Sequence, residues 1–246
     1  MDDKKWIMTL ALVLFIASAS LYSLHFLIFH DLHHIGVFAL HELAFLPLEV
    51  LIVTLVIHKL LDTREKKKQL EKMNMVIGTF FSVIGTSLIS CFSKNNPNIT
   101  DVKNLLRITD KWTDSEFDSV EKKMKVYDFE IDISSLNLEK LKAFLIQKED
   151  FMIRLLENPV LLEHEKFTEL LRATFHLTEE LHKRNELSLC PETDIKHLEG
   201  DINRVYDLLA DEWLEYMQYL KSNYPYLFSL ALRTNPFDDD ATIIIK

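Results

Sequence analysis

Glycine is scarce, with four residues in 246 at positions 36, 78, 85 and 200. At that spacing neither a phosphate-cradling GxxxxGK[ST] loop nor a GxGxxG dinucleotide fingerprint can be written, and the GxSxG nucleophile elbow is missing too. Two cysteines, Cys91 and Cys190, exclude a disulfide scaffold and a cysteine-rich zinc site. Basic residues are outnumbered 28 to 38 by acids, for a formal charge of −10, which argues against nucleic acid as a partner. An enzymatic reading therefore has little to stand on. No residue is assigned as catalytic, and no cofactor is expected.

Charge is also missing where it matters most. Residues 6–29 carry no Asp, Glu, Lys or Arg, and a helix of that length crosses a hydrocarbon layer of about 30 Å. A cleaved signal peptide is the competing reading, because Lys4 and Lys5 precede the apolar run and Ala17-Ser18-Ala19 resembles a cleavage site. The apolar run continues past that site through Leu21, Leu24 and Phe26 to Ile28, which favours a retained span. A second span is expected over 35–61, giving a transmembrane hairpin at 1–61. Lys4 and Lys5 precede the first span, and Lys59, Arg64, Lys66, Lys67 and Lys68 follow the start of the second span's exit, while 31–35 has no Lys or Arg. Basic residues mark the cytoplasmic side, so both termini are expected in the cytoplasm of a cell whose inner membrane holds the hairpin. A charged stalk, 62–72, would then lead into a cytoplasmic domain at 73–246, and could extend span two as one helix able to pass a signal mechanically.

A third uncharged stretch, 73–92, is long enough to span. Its charged approach, and a stripe of Leu70, Ile77, Ile84 and Cys91 with polar residues between, favour a buried or membrane-surface helix, with a third span as the alternative. Gly78 and Gly85 within it would allow close helix packing.

Beyond Lys94 the periodicity is helical almost throughout, so the fold class is all-α: a two-helix hairpin followed by a helical bundle. Thr100 reads as an N-cap, and Thr113-Asp114-Ser115-Glu116 as a capping box. Helices are expected over 138–156, from Pro159 onward, and over 194–219, the last burying Leu198, Ile202, Val205, Leu209, Trp213, Tyr216 and Leu220. Alternation at Tyr127, Phe129, Ile131 and Ile133, and the closing run at 242–245, fit either a small two-stranded patch or an extended linker and a loose tail, the latter being favoured.

Several residues invite a chemical reading. Glu42 and Glu49 are seven apart, so they share a helix stripe, with His41 beside it. A charged carboxylate at mid-membrane costs about 2.5 to 3.5 kcal/mol on insertion scales, so neither is expected to face lipid. Pro47 between them removes the N–H that would bond the Leu43 carbonyl. Together His41, Glu42, Glu49 and the Pro47 kink suggest a proton- or cation-accessible line at a subunit interface, against a reading as oligomer glue. His30, His33 and His34 belong to a cluster with His25 and His41 that could ligate a metal or haem, or simply form a polar cap in the headgroup zone. His41-Glu42 fails as a zincin motif because Phe45 stands where the second His is required. Glu179-x-x-His182 lacks the second copy a di-iron bundle needs, and Asp238-Asp239-Asp240 lacks the EF-hand spacing.

The segments HELAFLPLEVLIVTLVIHKLL (41–61), EKMNMVIGTFF (71–81), FTELLRATFHLTEEL (167–181) and NYPYLFSLALRTNPF (223–237) resemble, collinearly, a family of prokaryotic two-span membrane proteins with a C-terminal helical domain. The resemblance implies architecture and supplies no catalytic residues. The resulting expectation is a non-enzymatic, homo-oligomeric membrane protein. Its partners are the lipid bilayer, further copies of itself, and a cytoplasmic protein or small ligand bound by the helical domain. Two alternatives stand beside it: a small cation or proton channel lined by the intramembrane Glu and His, and a metal or haem protein using the outer histidines.

Overall fold

A computed structural model of the chain describes residues 2–161 and 164–244. The fold is all-α, with no strand among the described residues. The chain divides into two compact units, Met1–Lys66 and Lys67–Lys246.

The first unit holds helix α1 (Asp2–Phe29) and most of α2 (Leu32–Phe80), whose length takes it past the unit boundary. The reversal between them is made at His30, whose φ of 51° is the one positive value among described non-glycine residues. His30 N–H donates to the Phe26 carbonyl at 2.9 Å, and the Asp31 carboxylate accepts from His34 N–H at 3.0 Å, opening α2. The apolar side chains here are exposed, among them Phe15 and Leu40 at 74% and 69%. Two helical stretches, beginning at Lys5 and at Leu32, are long and apolar enough to cross a membrane by length and composition. Pro47 lies inside α2.

The second unit is a helical bundle. The end of α2 passes through a single π turn (Phe81–Gly85) into α3 (Thr86–Lys94), and Met73, Ile77, Phe80, Phe81, Ile84, Leu88, Ile89 and Phe92 are buried in the core. One face of the uncharged 73–92 stretch is therefore covered by protein, while Met75, Thr79, Ser82 and Ser87 are exposed. Its two glycines work at close approaches: a Cβ on Gly78 would lie 2.5 Å from the Tyr216 hydroxyl, and one on Gly85 would lie 2.6 Å from the Phe81 ring. Helices α4 (Ile99–Leu106), α5 (Asp114–Met124), α6 (Leu138–Leu156), α7 (Glu165–Lys183), α8 (Glu192–Asn223) and α9 (Pro225–Arg233) follow. The 32-residue α8 is central, packing against α3, α5, α7 and α9, while α6 packs on α7.

Some local expectations change. The cap before α4 is Asn98, not Thr100. The helix expected at Pro159 begins instead at Glu165, because Pro159 sits in a turn and the capping acceptor is His164, whose Nδ1 takes the Phe167 N–H at 3.0 Å. The capping box before α5 is present, with Thr113 N–H donating to the Glu116 carboxylate. The alternating 127–133 stretch is neither helix nor strand, in line with the favoured linker reading, and Asp132 N–H donates to the Asn95 carbonyl at 2.7 Å. It buries Phe129 and Ile131, and Ile131 N–H donates to the Asn203 side chain at 3.0 Å. Residues 242–244 are exposed, and the rest of that closing run lies outside the described residues. Asp238, Asp239 and Asp240 are held by Arg107 and Lys103 rather than left as a cation cage.

Candidate functional site

Two groups of polar side chains stand out, one in each unit. In the hairpin, α1 and α2 enclose an open cleft of about 600 Å³ lined by Ser18, Tyr22, His25, His34, Phe38 and Glu42 among others. The His25 and His34 rings stack with centroids 5.9 Å apart and planes within 6°. His25 Nδ1 is buried with no hydrogen-bond partner among the described residues. Of the three residues singled out from the sequence as a polar line, the cleft takes Glu42 but not His41 or Glu49, which are exposed elsewhere on α2. Of the three outer histidines it takes only His34. His30 belongs to the turn, so His30 and His34 do not share a helix face, and His33 is exposed. His25, on the opposite helix, is the partner that spacing along one helix could not reveal.

The second group surrounds the middle of α8. Its apolar stripe runs Leu198, Ile202, Val205, Leu209, then Glu212, then Tyr216 and Leu220, steps of three or four that keep one face toward the core. Glu212 thus occupies a core position and is 3% exposed. Burial pushes its carboxyl up to about 8, with the neighbouring Glu215 charge adding to the effect. On the next face Asp211 is raised to about 6, mainly by burial and then by Asp207. Asp207 itself is raised by burial and by Asp128. Asp207 and Asp211 line an open cleft of about 590 Å³ with Asp128, Glu130, Asn203 and Arg204.

One carboxylate oxygen from each of Glu212 and Glu215 and one ring nitrogen of His164 lie within 4.8 Å of one another. His164 is placed by its role as the cap of α7, and burial lowers its basicity. Glu215 is paired with the Lys166 ammonium. Burial opposes the Lys166 charge, but the Glu215 carboxylate outweighs it and holds the ammonium above its ordinary value. The sequence carried one signal for this site, an acid on the stripe between Leu209 and Tyr216. It carried none for His164, which reaches α8 only through tertiary packing.

Sites considered from sequence alone resolve as ordinary surface pairs. Glu179 pairs with Lys183 at 3.7 Å and His182 with Glu149 at 3.6 Å. Glu180 and Asp194 both engage Arg184 at 2.6 Å, and that guanidinium holds Asp194 down to about 2. Cys91 is half-buried and its thiol is raised by burial, while Cys190 is a free thiol near Asp194.

Residues 69–233 match the family model described as "Uncharacterized protein MJ1433, C-terminal helical domain", and residues 2–61 match "MJ1433, N-terminal helical domain". The chain belongs to the MJ1433 family. It is 48% identical over 244 residues to "Uncharacterized protein MJ1433" of Methanocaldococcus jannaschii, covering 99% of this chain and 98% of that protein. The cleft residues His25, His34 and Glu42 fall in the N-terminal MJ1433 domain, and His164, Glu212 and Glu215 in the C-terminal one. No solved structure matches the chain.

Proposed function

We propose that the protein is a non-enzymatic membrane component, in which the α1–α2 hairpin spans the bilayer and the helical unit acts as a cytoplasmic interaction or sensing module. The observation that carries this is the contrast between the units. The hairpin exposes apolar side chains over nearly its whole length, whereas the helical unit closes a core of its own. Exposed apolar surface on that scale is unstable in water and stable in lipid. Both termini are assigned to the cytoplasm by the lysines and arginines that flank the spans.

Membrane insertion is tested by alkaline carbonate extraction and flotation. Integral behaviour is expected, and release into the soluble fraction would refute the reading. Glu42, inside the cleft, and the cost of an unpartnered intramembrane carboxylate favour further copies of the chain as neighbours. Mass measurement in detergent is expected to return an oligomer, and a strict monomer would remove that part.

A second reading is favoured by the cleft itself. The stacked His25 and His34 with Glu42 form a polar line between two apolar helices, the arrangement a proton or cation path would use. Liposome flux separates the two. Under the sensing reading, wild type and Glu42→Gln proteoliposomes both hold an ion gradient. Dissipation by wild type alone supports conduction.

A further inference from the structure

Glu212 is poorly explained as a member of an apolar core. It occupies a core position of α8 at 3% exposure, and its Oε2 has no hydrogen-bond partner among the described residues. A buried oxygen of this kind is destabilising unless something binds it. The groups nearest to hand are ligand-type atoms: Glu215, one turn along the same helix, and His164, at the start of α7. Ligand atoms that share a zinc ion sit about 2 Å from it and so about 3.4 Å from each other, and the observed spacing, within 4.8 Å, closes to this by small side-chain rotations.

We propose that His164, Glu212 and Glu215 form a binding site for a divalent first-row transition ion of the zinc type. One imidazole nitrogen with two carboxylates is a borderline donor set, matched to zinc better than to calcium, which takes six to eight oxygens. Three protein ligands leave a fourth position for water. The inference goes beyond the membrane reading and does not depend on it, since every residue involved belongs to the helical unit.

Two contacts of these side chains must change for a metal to bind. The Lys166 ammonium sits on Glu215 and is the resident cation of the site; its side chain is 52% exposed, so it can swing into solvent when a metal arrives. His164 is the second. A neutral imidazole has one ring lone pair, and here Nδ1 uses it to accept the Phe167 N–H. The ring can cap α7 or ligate a metal, but not both. Metal binding therefore exchanges a helix cap for a coordination bond, and couples occupancy to the first turn of α7.

The test is zinc titration of the full chain in detergent, competed against a chromophoric chelator, with metal content measured on the purified protein. One zinc per chain is expected. Glu212→Gln, nearly isosteric, and His164→Asn, which retains a capping acceptor, should each weaken binding about tenfold or more. Lys166→Met, which removes the resident cation, should strengthen it. His25→Asn and His34→Asn, at the other imidazole cluster, should leave it unchanged. Melts of the metal-free variants report whether each one folds. If Glu212→Gln does not fold, the strengthening in Lys166→Met carries the decision. No stoichiometric zinc, binding that ignores Glu212→Gln in a folded protein, or binding that follows His25 and His34 instead would each overturn the site. None of these outcomes bears on carbonate extraction, so the two proposals fail separately.

Discussion

Phe80 offers a direct probe of how the uncharged 73–92 stretch is used. Its ring is fully buried and meets Phe167 of α7 edge-on at 5.2 Å and Phe81 at 5.6 Å. Phe80→Ala removes a buried aromatic side chain from a packed site, which costs about 3–5 kcal/mol in cores of this kind. Edge-to-face pairs contribute about 0.5–1.5 kcal/mol each beyond burial, so the upper half of the range is expected. For a unit of this size each kcal/mol lowers Tm by about 2–4 °C, which puts the shift at about 8–20 °C. The assay is thermal unfolding of the full chain in detergent, followed by fluorescence of Trp112 and Trp213, both in the helical unit. Phe45→Ala, at a 43% exposed position in the hairpin, is the control and should leave that transition in place. A Phe80→Ala shift of only 1–2 °C would mean the segment is not packed against α7, and would return it to consideration as a third span.

Three other outcomes follow from individual contacts. Asn235 is buried and donates to the Leu106 carbonyl at 3.0 Å while accepting from Phe237 N–H at 2.9 Å. Asn235→Ala strands both groups and should cost about 1–3 kcal/mol in denaturant unfolding. Gly78→Ala sets two effects against each other. Alanine gains about 1 kcal/mol of helix propensity over glycine, but its Cβ meets the Tyr216 hydroxyl at 2.5 Å, and overpacking costs about 1–3 kcal/mol. A net loss is expected in the single variant, relieved when Tyr216→Phe removes the hydroxyl, and a double-mutant cycle measures the coupling. The Arg184–Asp194 pair predicts an acid dependence. Arg184 holds the Asp194 carboxyl at about 2, below its unfolded value of about 3.9, so the pair's stabilisation is complete above about pH 4 and lost as pH falls toward 2. Stability profiles of wild type and Arg184→Met should converge across that interval and run parallel above it.

The fold was legible where pattern and local chemistry agree. The helix expected over 138–156 is observed as Leu138–Leu156, and the Thr113–Glu116 box opens α5 as expected, because caps and a 3.6-residue apolar period are local properties. The start of α7 was misplaced because Pro159 advertises a helix start, while the actual cap is a histidine, an uncommon acceptor that sequence patterns do not flag. The stretch at 127–133 alternates like a strand, but its amides find tertiary acceptors such as Asn203 in place of a neighbouring strand.

The site was harder to read for a related reason. Glu212 stood on the apolar stripe of α8, an inconsistency visible in the sequence, yet its neighbour His164 is 48 residues away and only packing unites them. In the hairpin, spacing along α2 singled out Glu42 and His34, and both line the cleft. It could not pair them with His25 of α1, because the register between two helices is set by the turn at His30.

The central claim is that a bilayer-spanning hairpin holds the helical unit inside the cell. Labelling a Cys91→Ser variant with a thiol reagent that cannot cross lipid tests it most directly, because Cys190 is then the sole thiol. The account predicts no labelling in intact cells and full labelling after lysis in denaturant. Modification of Cys190 before lysis would contradict it.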